Sequence, residues 1–439
     1  MSVDFRTLNY LGSKFRLLGF IEDNVRRVTR KGAGVCDLFA GSGCVSYRLS
    51  QSFPVIACDV QHYSKVVANA LLKNHDGLAR KAKAFIRSAM QADAYAQLLD
   101  AFEPLIDFEE RAIANKDALS LTNVIEHGSI EVFNREHRDS PLAALLQKVG
   151  SALRRLGVDN EKSLLSRYYG GVYFSYRQAV QMDGLLERIF TQVAEDERDV
   201  FLAALLSTAS DAVDTVGKHF AQPIRARDSK GNIKPLVCSK ALKDKTVDVV
   251  TVYSEWLDKY VSLPKPNNDS SAIQCDCIDC LRALPDHIKT IYADPPYTRE
   301  HYSRFYHVLE TISLRDSPNV STVKVRGETH ISNGIYRAER YQSPFCIRSQ
   351  APLAFDKMFA VAAEKGRNLL LSYSPYDQTK QSHPRVVTIE QLVGIAEKYY
   401  RNVDVVSAGS FRHNKLNSVE HRLEASDEAE LLIVSTHVR

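Results

Sequence analysis

Short apolar runs alternate with longer stretches in which apolar residues recur at helical spacing. Runs at 34–39, 55–59, 272–277, 290–294, 368–373, 403–408 and 430–436 read as strands. Several are apolar without interruption, as strands covered on both faces are. Stretches at 44–50, 64–73, 353–365 and 389–399 read as helices between them. This alternation predicts an α/β fold: a doubly wound, mostly parallel, seven-stranded Rossmann-like sheet. Residues 76–270 interrupt it, a span too long for a connecting loop. Their pattern is mainly helical, with 178–189 and 199–210 the plainest cases. The expected organisation is a sheet domain built from 1–75 and 271–439, with 76–270 as a large helical insertion.

Chemistry collects at the predicted carboxyl ends of the strands, where an open α/β sheet binds its ligands. Asp294-Pro295-Pro296-Tyr297 follows the apolar run Thr290-Ile291-Tyr292-Ala293. Two prolines fix two φ angles and remove two N–H donors. That leaves carbonyl acceptors beside a carboxylate and an aromatic face, a set suited to a planar ring with an exocyclic amino group, adenine above all. In isolation the tetrapeptide is equally a turn.

Upstream, Val35-Cys36-Asp37-Leu38-Phe39-Ala40-Gly41-Ser42-Gly43 runs from a strand into a turn. Its glycines either let a ligand approach the backbone closely or serve the turn alone. Ser46 stands where a dinucleotide fingerprint needs its third glycine, which weakens a pyrophosphate reading. Asp37 favours a cationic group instead. S-adenosyl-L-methionine carries an ammonium and a sulfonium and no phosphate. Asp59 closes the second strand, as an acceptor for ribose hydroxyls or as a helix cap.

Together, four stretches resemble the alpha group of DNA N6-adenine methyltransferases, the Dam-like enzymes. Asn9-Tyr10-Leu11-Gly12-Ser13-Lys14 is similar to that group's N-terminal motif, and 37–43 to its donor-binding loop. Tyr173-Phe174-Ser175, continuing to Met182-Asp183, is similar to a helical stretch preceding the catalytic motif, which 294–297 resembles. Much of 78–160 carries no such likeness. The resemblance implies a methyltransferase sheet, with the donor site in 1–75, target recognition within 76–270 and the catalytic motif in 271–439. It implies donor binding by Tyr10, Lys14, Asp37, Phe39, Ala40, Gly41, Gly43 and Asp59. Asp279 is the expected acid beside the donor's adenine, because Leu281 and Leu284 follow at the usual spacing; Asp276 is the alternative. Catalysis is expected at Asp294, Pro295, Pro296 and Tyr297. Ser372-Tyr373-Ser374 resembles a later motif near the catalytic pocket, with Pro375 ending its strand.

The chemistry expected of such a site is direct. The N6 lone pair of adenine is delocalised into the ring. Acceptors at Asp294 and the Pro295 carbonyl favour a more tetrahedral nitrogen, whose lone pair then faces the donor methyl for in-line displacement, with no metal required. The base must leave the duplex, at a cost of a few kcal/mol. Stacking on Tyr297 offsets part of this, roughly 1–3 kcal/mol per base. Cytosine N4 and an adenine in RNA are alternative acceptors, although cytosine-N4 enzymes commonly carry Ser where Asp294 stands. A donor-binding recognition subunit with little activity is the alternative of another class.

Net charge is only +4, so DNA must meet local basic patches. Lys218, Arg225, Arg227, Lys230, Lys234, Lys240, Lys243 and Lys245 crowd one segment, expected as loop or ribbon. DNA contacts are expected from Arg225, Arg227, Lys230 and Lys234, and from Tyr302 and Arg304 after the catalytic motif; Phe305, Val308 and Leu309 read as core. Arg135, His137 and Arg138 form a smaller cluster that Glu136 and Asp139 offset. Cys275, Cys277 and Cys280, with Cys238, suggest part of a zinc cluster but lack a paired C-x2-C arrangement. No metal is expected. With no leading signal peptide and no membrane-length apolar run, a cytoplasmic, nucleoid-associated protein of a prokaryote or phage is expected. Its partner is double-stranded DNA. It is expected as a monomer or weak dimer. No nuclease site is legible, so a restriction endonuclease or other defence-system protein would be a separate chain.

Overall fold

The computed structural model describes residues 4–73, 75–136, 140–264, 266, 269–299, 301–325, 327–374, 385–408 and 430–439. The chain divides into two compact units. One comprises Met1–Asn74, Pro264–Ser303 and Tyr341–Arg439; the other comprises His75–Leu263 and Arg304–Arg340.

Seven strands form the sheet of the first unit: β1 Gly34–Asp37, β2 Val55–Asp59, β3 Ser271–Gln274, β4 Ile288–Ala293, β5 Asn368–Tyr373, β6 Tyr400–Ser407 and β7 Leu431–Val438. Their spatial order is β3-β2-β1-β4-β5-β7-β6. Only β7 runs against its neighbours, so the sheet is mostly parallel, as the alternation of apolar runs predicted. Among the described residues six α-helices flank it: α1 Leu18–Val28, α2 Cys44–Ser50, α3 His62–Leu72, α4 Cys277–Ala283, α5 Ala351–Glu364 and α6 Ile389–Ala396. Successive strand residues serve opposite faces. Val35, Tyr292 and Leu370 join Leu18, Ile21, Val25 and Leu49 of α1 and α2. Cys36, Ile291, Leu369 and Leu371 join Phe355, Met358 and Phe359 of α5 on the other side.

Boundaries moved where polar residues mark an edge or a cap. β3 ends at Gln274 rather than 277, because Asp276 caps α4 by accepting from the Ile278 N–H at 2.9 Å. β6 starts at Tyr400 rather than 403; Arg401, Asn402 and Asp404 hide a strand on the sheet's edge, which has one solvated face.

The strand order places the topological switch between β1 and β4, the crevice where such sheets bind ligands. Asp37 of β1 lies in register with Tyr292 of β4. The loops leaving these two strands therefore start side by side.

The second unit is helical, with one two-stranded ribbon, Thr322–Val325 against Glu328–Ile331. Helix Tyr176–Gln192 opens on a capping box between Ser175 and Gln178. Helix Arg198–Ala212 buries residues all the way round, as a helix inside a core must. Asp183 accepts from the N–H groups of Leu165 and Ser166 and from the Ser166 hydroxyl, at 2.6–2.9 Å. The insertion drawn as 76–270 does not include 304–340, which the structure groups with this unit. There Phe305, Val308 and Leu309 are core, as read. The backbone of Phe305 accepts from the Phe220 N–H at 3.0 Å. Apolar spacing announces a buried helix without saying which core it joins.

Candidate active site

Two loops and an N-terminal segment meet at the carboxyl edge of the sheet. The Leu38 N–H donates to the Tyr292 carbonyl and the Ala40 N–H to the Cys58 carbonyl, both at 2.9 Å. These bonds carry the sheet pairing into the loop after β1. Gly41 then turns with φ +51°. Its N–H donates to Asp59 Oδ2 at 2.9 Å, and its carbonyl accepts from buried Ser64 Oγ at 2.7 Å. Asp59 Oδ1 also accepts from the Gln61 N–H at 2.9 Å. Asp59 is thus the clip of the glycine turn, while Gln61 occupies the capping position of α3.

The N-terminal segment lies over this turn. Thr7 Oγ1 donates to the Ser42 carbonyl at 2.7 Å. A Cβ added to Gly41 would stand 2.8 Å from the Tyr10 hydroxyl, so glycine is required both by φ and by the Tyr10 ring. Phe39 meets Phe345 edge-on at 5.4 Å. Ala40 is buried, and Gly43 begins α2 with φ +73°. Asp37 is buried and accepts from Ser46 Oγ at 2.6 Å, the serine that replaces a fingerprint glycine. Its Oδ1 has no hydrogen-bond partner among the described residues. Burial pushes Asp37 up to about 7; the Ser46 bond opposes this, and the charges of Asp294 and Asp59 add to it. Three acids therefore surround the ends of β1, β2 and β4, a setting that favours a cation.

Asp294 follows β4. Lys14 Nζ lies 2.8 Å from its Oδ2 and 3.5 Å from Glu430 Oε1. Glu430, just before β7, is buried and accepts from Ser372 Oγ at 2.6 Å. Burial pushes Asp294 up to about 6; Lys14 opposes and Glu430 reinforces that shift. Burial alone would lower Lys14, but the two carboxylates outweigh it and hold its ammonium well above the usual value. At neutral pH the pair is therefore ionised. Lys14 thus takes one oxygen of Asp294 and leaves Oδ1 on the other side of the carboxylate.

Tyr297 is largely buried, with Tyr373 at 4.8 Å between ring centroids and the Arg385 guanidinium 4.8 Å from its ring centre. Tyr302, read from sequence as a DNA contact, is half-buried near the same pair. Burial pushes its hydroxyl up to about 12, with Lys14 opposing and Asp294 adding. Glu430 and Arg385 gave no sequence signal. Glu430 opens a run read as a strand, which marks no role for an acid, and Arg385 follows no motif.

Asp279 lies in the first turn of α4. There its side chain is 68 % exposed and 3.5 Å from Arg282. Asp276 instead terminates the segment after β3, with Tyr341 Oη donating to its Oδ2 at 3.3 Å. Cys277 and Cys280 are buried in the α4 core, and among the described residues no group of three or more His, Cys, Asp or Glu could hold a metal ion.

The basic segment of the second unit separates into two sets. Lys218 pairs with Asp244 at 2.9 Å, and Lys240 binds the same carboxylate. Lys245 is fully buried on Glu109 at 3.0 Å and donates to the Gly171 carbonyl at 2.8 Å. Arg227 reaches Glu126 at 3.1 Å. Arg225 and Lys230 are exposed and Lys234 half-exposed, and none of the three has an acidic partner among the described residues. Arg227 and Ile233 bridge antiparallel around Gly231, which puts Lys230 on a tight turn. Arg304 lies over the Phe305 ring at 5.6 Å. Of the smaller cluster, Arg135 pairs with Glu131 at 2.6 Å; His137, Arg138 and Asp139 lie outside the described residues, as does Pro375. No described helix is long and apolar enough to cross a membrane.

Comparison with known proteins adds an independent line. Residues 10–146 match the model of the D12 class N6 adenine-specific DNA methyltransferase family. The chain is 22 % identical to modification methylase LlaI of Lactococcus lactis subsp. lactis, over 97 % of this chain and 54 % of that protein. It is 21 % identical to type II methyltransferase M.NlaIII of Neisseria lactamica, over 94 % of this chain and 95 % of that one. Likewise it is 21 % identical to type II methyltransferase M.FokI of Planomicrobium okeanokoites, over 84 % and 44 %. The chain thus spans about half the length of the LlaI and FokI relatives and nearly all of M.NlaIII.

Proposed function

We propose that this protein belongs to the D12 class N6 adenine-specific DNA methyltransferase family and transfers a methyl group from S-adenosyl-L-methionine to N6 of an adenine flipped out of DNA. The observation that carries the reading is the juxtaposition of Asp294 with the Gly41–Gly43 turn at the β1/β4 switch. The site fits that donor. Asp37 presents a buried, unsatisfied carboxylate oxygen for an ammonium, and Tyr10, Phe39 and Ala40 give the turn apolar walls. Asp59 keeps lone pairs for ribose hydroxyls while it clips Gly41. Asp276, at the end of β3, is better placed than Asp279 to border the donor's adenine. Bound there, the donor supplies an activated methyl on a sulfonium leaving group.

The chain's own residues do the rest. Lys14 holds one oxygen of Asp294 and keeps the carboxylate ionised, leaving Oδ1 to accept from the adenine amino group. The Pro295 carbonyl is the second acceptor. Both stabilise the positive charge that develops on nitrogen, and their fixed positions replace entropy that free reactants would lose. Pro296 stiffens the loop. Tyr297 is already packed on Tyr373 and Arg385, so its stacking contribution is below the roughly 1–3 kcal/mol of a free aromatic. Tyr302 borders the pocket that receives the base. The second unit contributes target recognition, with Arg225, Lys230 and Lys234 on phosphates. Arg227, tied to Glu126, contributes less, and Arg304 acts within the second unit. A modification role beside a separate endonuclease is the fitting context, since the relatives are named a modification methylase and type II methyltransferases.

Incubating the protein with methyl-labelled donor and duplex DNA, then analysing nucleosides, tests this. N6-methyladenine is expected. N4-methylcytosine would transfer the site to another base, and no methylated base would favour a recognition subunit.

A further inference from the structure

In the second unit, three separate segments converge on Tyr336. Its hydroxyl donates to the Ala221 carbonyl, in the segment that leads to Arg225. The Arg340 guanidinium lies 4.8 Å from its ring centre. Its ring also meets His307 edge-on at 5.2 Å, one helical turn from Arg304. Arg340 is held in place, donating to Ser321 Oγ at 3.3 Å and to the Arg337 carbonyl at 2.8 Å. Its Nε is buried and has no hydrogen-bond partner among the described residues. The nearby carboxylate, Asp316, is taken by Arg337 through two bonds of 2.6 Å. Arg225 is exposed and has neither a hydrogen-bond nor an ion-pair partner among the described residues.

We infer that Arg340, Arg304 and Arg225 form an anion site that takes a backbone phosphate of the DNA, an inference that rests on the DNA substrate proposed above. Guanidiniums gathered in a partly buried place repel one another and cost desolvation. An anion with several acceptor oxygens relieves both. The charges behave accordingly: burial, and then the neighbouring Arg304, hold Arg340 below the usual guanidinium range. Arg304, Arg340 and Arg225 all act on the Tyr336 hydroxyl, against the upward push of its burial. Ser321, which receives Arg340, is bonded to Ser332 at 2.9 Å, and these two serines close the base of the Thr322–Val325/Glu328–Ile331 ribbon. A phosphate at this point would fix the base of an exposed ribbon against the duplex.

Salt dependence of DNA binding by the full chain tests the site, using Arg340→Ala, Arg225→Ala and Arg340→Lys. Each alanine variant is expected to weaken binding roughly tenfold at fixed salt. Each should flatten the slope of log K against log salt by about 0.9. The loss should be equal on methylatable and scrambled duplexes, with donor binding unchanged. Arg340→Lys should keep most of the slope and lose affinity. Wild-type slopes in both alanine variants, or a loss confined to one sequence, would overturn the site. Tight binding of inorganic phosphate with no change in DNA slope would overturn the assignment to DNA. If Arg340→Ala does not fold, the exposed Arg225→Ala decides. Wild-type methylation measured in parallel separates the two readings: absent methylation defeats the proposed activity, whereas unchanged slopes defeat only this site.

Discussion

Lys14 Nζ stands 2.8 Å from Asp294 Oδ2 in a pocket where only 4 % of the lysine side chain is exposed. In the reaction proposed above this lysine serves the acceptor side of the site, whereas the resemblance of its motif implied donor binding. Burial raises the proton affinity of Asp294, and the ammonium it shares with Glu430 opposes that rise.

That sharing makes activity pH-dependent in a defined direction. In the proposed transfer Asp294 accepts as a carboxylate, and burial raises it to about 6, so the single-turnover rate should fall as pH drops through about 6. Lys14→Met removes the cation that lowers this value and should move the acid limb upward. Glu430→Gln removes a charge that raises it and should move the limb downward. A pH–rate profile unmoved by both substitutions would break the link.

The glycine turn makes a steric prediction. Gly41→Ala forces a side chain into the left-handed region, at about 1–2 kcal/mol, and into the Tyr10 hydroxyl at 2.8 Å. Calorimetric titration should show donor binding weakened about tenfold or more. A wild-type dissociation constant would show that Tyr10 and the turn lie outside the donor site.

Two neighbouring acids should behave differently. Asp276→Asn keeps the α4 cap but removes the charge, and should weaken donor binding by roughly tenfold, the worth of one charge-assisted hydrogen bond. Asp279→Asn should change it by less than about twofold, as an exposed charge on Arg282 does. The reverse ranking would restore the spacing-based choice of Asp279.

The basic segment should divide by function. Lys245→Ala leaves Glu109 buried and unpaired, so it should lower stability by about 3–5 kcal/mol in denaturant unfolding. Lys230→Ala and Lys234→Ala should leave stability within about 0.5 kcal/mol. Each should flatten the salt slope of DNA binding by about 0.9, the value of one neutralised phosphate. Stable Lys245→Ala protein, or unmoved slopes for the other two, would erase the division.

Sheet and site were readable to different depths. All seven strands were legible, the central ones because buried parallel strands are near-continuous apolar runs, whereas polar residues blurred the bounds of β3 and β6; Asp294 and the Gly41–Gly43 turn stood out because each sits where such a run ends. Glu430 did not, because a buried acid before β7 has no local pattern; only the pairing of β7 with β5 brings it to Lys14. Lys218, Lys240 and Lys245 read as part of one basic segment because sequence shows charge and hides Asp244 and Glu109. Phe305, Val308 and Leu309 of helix Ser303–Leu314 read as core and are buried, but the helix's partners Tyr169 and Phe220 lie more than eighty residues away in the chain.

The most direct test is Asp294→Ala, followed in one preparation by single-turnover methyl transfer and by donor affinity. Removing one aimed acceptor should cost a factor of about 100–1,000 in transfer, while the donor dissociation constant stays within about threefold, less than 1 kcal/mol. Equal loss of both would contradict the placement of Asp294 on the acceptor nitrogen, and retained transfer would contradict its role altogether.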